Sequence, residues 1–448
     1  MRTNLNSGTD YDCLIIGGGL SGLACGITCL AEGLSCAILS SGMSALHFSS
    51  GSVDLLGYFP EAAVVADPLD ALPRFIDVHP EHPYARCGID TIKEALAFFR
   101  QEMAGAGLPL HENCSRNHFH VTALGTLKPT FFSQRSVFNQ EIRSVIDRTP
   151  AITIMNIHGF RDFHPGLAAA NLKRHKLFSA CDIQCAEIRL PEKEKSPSPV
   201  HGMRSIDIAR IFDTMDPDEM ARLITTACPD ADIVGLPAVL GIERHNAVLD
   251  RLCEKTGKII YEVPTLPPSM PGMRLDNALK SRFAAMGGVF IQRETAEKGT
   301  IADGRVTAIR TKNQNDTLTA EFYVLSTGSF FSGGLVSRFD HIEERVFNLA
   351  LARSPEARCL GSENFFAPGG HAFLSAGVIT DDAFHPKTPA GKTVENLFCT
   401  GAVLSGYDPV TQGCGGGVAV ATGYVTGLRI ARGICSATRQ RQGYPDLP

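Results

Sequence analysis

Nowhere in this sequence do roughly 18 or more uncharged apolar residues follow one another, so it holds no obvious segment that would cross a bilayer as a helix. The first twelve residues, MRTNLNSGTDYD, also lack the apolar core of a secretory signal. Both absences point to a cytoplasmic protein that reaches a membrane only through a partner, with the polar stretch before Tyr11 as a disordered tail. Positive charge is not in excess either. The formal charge is -5 and the pI near 6.3, which gives no general attraction to the phosphates of nucleic acid or anionic lipid, so no nucleic-acid partner is expected. Fourteen cysteines are present, yet no C-x-x-C pair occurs, and no metal or iron-sulfur site is expected in the chain. Cys25 and Cys29 share one face of a helical stretch with Ala24, Ile27 and Leu30 as neighbours, a pattern that suits small buried hydrophobes better than ligands.

What is present begins at once. Residues 12–16, DCLII, read as a short buried parallel strand that runs into GGGLSG and then an apolar helical stretch to Ala31. In that order Gly17 permits a tight turn, Gly18 and Gly19 let the backbone approach a phosphate, and Gly22 lets the helix pack close to the sheet. Leu20 and Ser21 then supply first-turn amides to the same anion. A second strand is expected at Leu34 to Leu39. The acidic residue that would clamp an adenosine ribose at its end is missing, and Ser40 and Ser41 stand there instead.

Farther on, a helix with Leu275, Ala278, Leu279, Phe283 and Met286 on one stripe ends at Gly287-Gly288. The runs VFIQR, RVTAIR and AEFYVL follow and read as a three-stranded meander, with a hairpin at Asp303-Gly304. The last run leads to Thr327 and Gly328, which could bring backbone close to a nucleotide. Near the end of the sequence, NLFCTGA reads as a strand ending at Gly401, and Gln412, Gly413, Cys414 and the glycines 415, 416 and 417 open a long apolar helix.

This order of elements resembles the glutathione-reductase-like flavoproteins, in particular the fumarate reductase and succinate dehydrogenase group. The resemblance implies an α/β fold, a Rossmann-type flavin-binding domain with an inserted α/β cap. The flavin domain would comprise residues 10–57, 272–345 and 390–440, and the cap 58–271 with 346–389. In such proteins the glycine-opened helix points its positive end at the flavin's pyrimidine edge, where negative charge grows on reduction. An acidic residue after the strand glycine is expected to hold the ribityl chain, but Ala402 occupies that place, leaving Ser405, Thr411 or the Ser49-Ser50 pair before Gly51 as alternatives. Without the ribose carboxylate, FMN competes seriously with FAD.

Longer strings narrow the resemblance. SALHFSSGS at 44–52, TLPPSMPGMRL at 265–275, GSFFSGGLV at 328–336 and DPVTQGCGGG at 408–417 resemble the B subunits of anaerobic glycerol-3-phosphate dehydrogenase across nearly the whole chain. That family implies FMN in this chain, with two partners: a catalytic A subunit that carries FAD, and an iron-sulfur, membrane-associated C subunit. The complex would oxidise sn-glycerol 3-phosphate to dihydroxyacetone phosphate and reduce quinone at the inner face of the cytoplasmic membrane.

The middle of the chain reads as strands at 151–157, 183–190, 233–236 and 259–263, with an exposed proline-rich loop at 191–199. Alcohol oxidation needs a base and a cation for the phosphate. His47 in the loop after the second strand, His371 in GGHAF and Arg274 beside the PPSMPG turn are the candidates. Within such a complex the chain would either oxidise the substrate itself or, the favoured reading, relay electrons from the A subunit toward the C subunit, and two other functions compete with this. The chain could be a non-catalytic assembly subunit that keeps a flavoprotein fold, or a stand-alone oxidoreductase of the fumarate reductase type.

Overall fold

The strand Tyr11–Ile16 is buried from Cys13 onward because it has neighbours on both sides and helices over its faces. It pairs in parallel with Cys36–Ser40, matching Ile15 to Ile38, and with Ala320–Leu325, matching Ile15 to Val324. Val289–Gln292 extends the sheet beyond Cys36–Ser40, and Leu397–Cys399 extends it beyond Ala320–Leu325. All five strands run the same way, and the apolar runs of the inner part of the sheet are buried, while the edge strand Val289–Gln292 stays half-buried or exposed. The computed structural model describes residues 11–138, 142, 145–191, 202–339, 341–352, 360–365, 367 and 369–441. The polar stretch 1–10 and most of the proline-rich segment 191–199 lie outside them.

This sheet revises the expected meander. Its antiparallel strands are Ala296–Ala302, Arg305–Thr311 and Thr317–Leu318, joined at the centre by the expected turn, where Asp303 and Gly304 both have positive φ. The flanking runs at 289 and 320 belong to the parallel sheet instead. Ala296–Ala302 is mostly exposed and carries a lysine and a glycine, so it has no apolar alternation to mark it.

The chain separates into two compact units. The first comprises residues up to Ala45, Asp54–Gly107 and the chain from Asp276 on; the second comprises Leu46–Val53 and Leu108–Leu275. The boundary therefore runs elsewhere than expected. Residues 58–107 and the described residues between 346 and 389 go with the parallel five-stranded sheet, not with an insertion. Helix Ile89–Gly105 packs on the helix Gly415–Arg441, and Arg282 binds Glu102 at 2.5 Å. Conversely, Leu46–Val53 joins the second unit through main-chain bonds from Val53 to Phe132 and from Ser269 to His47.

Within the second unit the expected strands appear as Ala151–Ile157, Asp182–Ile188, Ile233–Pro237 and Ile259–Val263. They form a four-stranded parallel sheet with the 151 and 233 strands at its centre. Ile154, Ile157, Ile233, Val234 and Val263 are fully buried there, so this unit has a core of its own. Back in the first unit, the thiols of Cys13, Cys29 and Cys36 lie within 4.8 Å of one another, all buried in the core.

Candidate functional site

The turn after the first strand is set by glycine at two positions. Gly17 has φ 115, and a Cβ there would lie 2.1 Å from the Ser326 carbonyl oxygen, so only glycine lets this strand pass its neighbour. A Cβ on Gly22 would lie 2.1 Å from the Gly17 oxygen, which closes the turn onto the helix Leu20–Ala31. Gly18 packs against Phe290 and Ser40. Gly19 differs from all three. It has ordinary extended backbone, forms the N-cap without a side-chain bond, and a methyl group placed on it would find no described atom within 4 Å. The helix start therefore presents the amides of Leu20 and Ser21 behind an open position, the geometry of an anion site.

The residues 400–423 come to the same helix. A Cβ on Gly401 would meet the Ser21 side chain at 2.7 Å, and the Gly401 amide donates to Thr422 Oγ1 at 3.0 Å. Gly423 approaches the Ser21 carbonyl and Gly427 approaches Thr28, so the helices Leu20–Ala31 and Gly415–Arg441 lie side by side and run in the same direction. Both aim their amino termini beyond the carboxyl ends of the parallel strands, where ligands of open α/β sheets bind. The hydroxyls of Ser21, Thr327 and Thr400 are buried here without a hydrogen-bond partner among the described residues. Unpaired hydroxyls and an open Gly19 are what a phosphate-bearing cofactor would satisfy, so the residues present fit one.

The chain matches the FAD binding domain family over residues 12–418. The anaerobic glycerol-3-phosphate dehydrogenase B subunit of Vibrio cholerae is 38% identical to it over 418 residues, 92% of this chain and 95% of that protein. The chain belongs to this B-subunit family, within the FAD binding domain family. The B subunit of Yersinia pestis is likewise 38% identical over 421 residues, with 92% and 95% covered, and that of Aliivibrio fischeri 36% over 428 residues, with 93% and 94%. The match supports a flavin, and it names FAD; the expectation of FMN is not supported.

Several residues singled out by motif turn out to be spoken for. Arg274 is the clearest correction to the expected phosphate-binding group. It is buried, binds Glu262 through both terminal nitrogens at 2.5 and 2.9 Å, and donates from Nε to the Gly241 carbonyl at 2.8 Å. A guanidinium used in this way has no fork left for an anion. Glu262 is also fully buried and accepts from Ser136 and from the Leu240 amide. Burial alone would push its pKa up, but the charge and hydrogen bonds of Arg274 hold it below the ordinary carboxylate value.

His371 braces its own loop, taking the Ser362 amide on Nδ1 at 3.0 Å and donating from Nε2 to the Phe365 carbonyl at 2.9 Å. The Gln412 side chain accepts from the Asp408 amide, and its carbonyl takes the amides of Gly57 and Tyr58; Gly413 turns the chain there with φ 59. Ser405 donates to the Val378 carbonyl and Ser40 to that of Gly42, so each hydroxyl could meet a sugar only as an acceptor. Ser41 and Ala402 are exposed, and Gly328 turns with φ 78. At the last helix the Gly417 amide already donates to the Asp54 carbonyl at 2.8 Å, and its missing side chain makes room for Tyr84 and Leu55. Gly417 is a packing glycine, so any anion-facing role falls to Gly415 and Gly416. Tyr84→Phe is expected to lower stability by about 1 kcal/mol, because the buried hydroxyl donates to the Leu55 carbonyl at 2.7 Å. A thermal melt checks it.

His47, Ser49, Ser50 and Gly51 lie in the second unit with Arg274. Gly51, with φ 67, packs on the Pro271 carbonyl, and Ser49 caps the local turn by donating to Leu46. The same unit holds two residues that motif logic passed over. His118 and His120 alternate on the strand His118–Val121, so both rings fall on one face and converge on Ser133 Oγ, His120 at 2.6 Å. An H-x-H pair in a short apolar strand was the available signal.

Proposed function

We propose that this chain is a flavin-carrying, electron-transferring member of an anaerobic glycerol-3-phosphate dehydrogenase complex, with FAD held across the starts of the helices Leu20–Ala31 and Gly415–Arg441. The observation that carries this reading is the open backbone at Gly19 beside the unpartnered hydroxyl of Ser21, in the same cleft end as Gly401. Bound there, a flavin supplies a two-electron acceptor that can release electrons singly. The chain's share is electrostatic. Amides at Leu20 and Ser21 face the phosphate, and the positive end of the last helix, at Gly415 and Gly416, favours the negative charge of the reduced ring.

In this reading the substrate is sn-glycerol 3-phosphate and the final acceptor a quinone. A catalytic A subunit stands on one side of the relay, an iron-sulfur C subunit on the other, and contact with the inner face of the cytoplasmic membrane comes through a partner. Among the described residues no helix is long and apolar enough to cross a membrane. Ser40 and Ala402, where carboxylates would grip the ribose and ribityl hydroxyls, favour a second reading, that of an assembly protein that kept the fold and lost the ligand. Denaturing the purified protein and identifying the released cofactor by mass separates the two. FAD at near one equivalent is the expected result, and a protein that releases no flavin at all overturns the relay.

A further inference from the structure

Cys13 and Cys36 are directly paired on the first two strands of the five-stranded sheet. Their side chains therefore leave the sheet on one face, about 5 Å apart. That face is covered by the helix Leu20–Ala31, whose Gly22 packs on Ile15 and whose Gly26 packs on Ile38, each isoleucine two residues farther along its strand than the cysteine. One turn on, Cys29 comes down on the pair. The Sγ atoms of Cys13, Cys29 and Cys36 all lie within 4.8 Å of one another, and the described residues hold no other such group of possible metal ligands. Cys25, one turn before Cys29 on the same helix face, brings a fourth thiol beside those of Cys13 and Cys29.

Two of these thiols are thus set side by side across the strands, and two follow one another along the helix. The helix of a β-α-β unit runs roughly along its strands, so the two pairs cross. Crossed pairs are opposite edges of a tetrahedron. All four cysteines are buried, none more than 2% exposed.

We propose that Cys13, Cys25, Cys29 and Cys36 form a closed structural site for zinc(II) that ties the first two strands to the helix between them. A four-sulfur set is soft and suits zinc or copper(I), not magnesium or calcium. In a core without water the divalent ion is the better occupant, since it cancels two thiolate charges where copper(I) cancels one. Tetrahedral zinc takes sulfur at about 2.3 Å, which sets the sulfurs about 3.8 Å from one another, so the three mutually close thiols need to draw in by no more than about 1 Å. Each turns on a single side-chain bond to do so, and the displaced thiol protons leave to solvent. Because the sulfurs are sealed, the ion enters while the unit is folding and is then retained. No C-x-x-C spacing marks the site, since its ligands come from two strands and a helix. It lies at the start of the strands, the end away from Gly19, and does not depend on the flavin reading.

The test is the metal content of the full-length protein, expressed in zinc-supplemented medium and dialysed against EDTA, together with X-ray absorption at the zinc edge. About one zinc per chain, with four sulfur neighbours at about 2.3 Å, is expected. Cys13→Ala and Cys36→Ala should each lose most of that zinc, because the dry remnant offers no fourth ligand. Cys228→Ala removes a buried cysteine of the second unit and should keep it. Wild type from zinc-depleted medium should also melt at a lower temperature than wild type from supplemented medium, a difference absent in Cys36→Ala. Should the alanine variants fail to fold, the wild-type spectrum decides, and nitrogen or oxygen in place of sulfur around the zinc overturns the site. A wild type free of zinc, or zinc retained in both Cys13→Ala and Cys36→Ala, overturns it equally.

Discussion

Gly19→Val is expected to yield a folded protein that has lost its flavin. The backbone at Gly19 is extended, with φ −90 and ψ −173, which valine adopts freely, and its Cβ would meet no described atom within 4 Å. On the proposed reading the open space is where the phosphate sits, so the added side chain would collide with ligand and not with protein. Losing one or two charge-assisted hydrogen bonds of roughly 1.5–3 kcal/mol each corresponds to about a 10- to 10⁴-fold loss of affinity. Gly17→Ala is the contrast. Its methyl would meet a carbonyl oxygen at 2.1 Å with φ 115, so that variant should unfold more readily whether or not a cofactor is present. Absorbance per mole of protein, set beside a thermal melt, separates the two effects. If Gly19→Val retained a full equivalent of flavin, the anion site would have to lie elsewhere.

Arg274→Ala is expected to have the largest effect on stability, about 3–5 kcal/mol, because it strands the Glu262 carboxylate in the second unit's core. Against a total of roughly 5–15 kcal/mol for an ordinary domain, that is a severe loss, and the melting temperature should fall by about 6–20 °C. The pH dependence has a definite sign. In the wild type the Glu262 pKa is lowered on folding, so its contribution is fully present above the unfolded value of about 4.3 and disappears as pH falls through the lower folded value. In Arg274→Ala only burial and the weaker Ser136 and Leu240 bonds remain, and the carboxyl should titrate higher. The deficit against wild type should therefore shrink as pH falls through the variant's raised carboxyl pKa, and further as it falls through the wild type's lowered one, below which both carboxyls are neutral. The pair Arg274→Met with Glu262→Leu should recover much of the loss. A normal melt for Arg274→Ala, combined with weakened binding of glycerol phosphate, would restore the arginine to the role of anion ligand.

The two sites differ in how far they could be read ahead of the structure. The turn at 17–22 is local: strand, glycines and helix follow within a few residues, with Gly17 at the tight turn, Gly22 at the close helix packing and Gly19 open as their order implied, whereas Gly18, expected beside a phosphate, packs on Phe290 and Ser40. The start of the last helix was equally plain. Partnerships between distant residues were not. Arg274 looks like a free cation beside a proline turn until the strand Ile259–Val263 brings Glu262 against it, and nothing in the local string marks that pairing. The same limit applies to residues 58–107, whose attachment depends on Tyr84 reaching Leu55 and Cys414, and to the strand Ala296–Ala302, whose exposed faces carry no period. His118 and His120 were legible in principle, since alternation on a strand aligns them. Their shared partner is Ser133, on the separate strand Ser133–Gln134, which only the fold brings beside them.

The side-by-side helices also constrain how the protein is made. The turn at Gly17 emerges early from the ribosome, but Gly401 and the last helix, which complete its surroundings, are translated late. A nascent chain would therefore hold half a cradle, with the partner of its first helix still unbuilt, and cofactor loading becomes an act of the finished polypeptide.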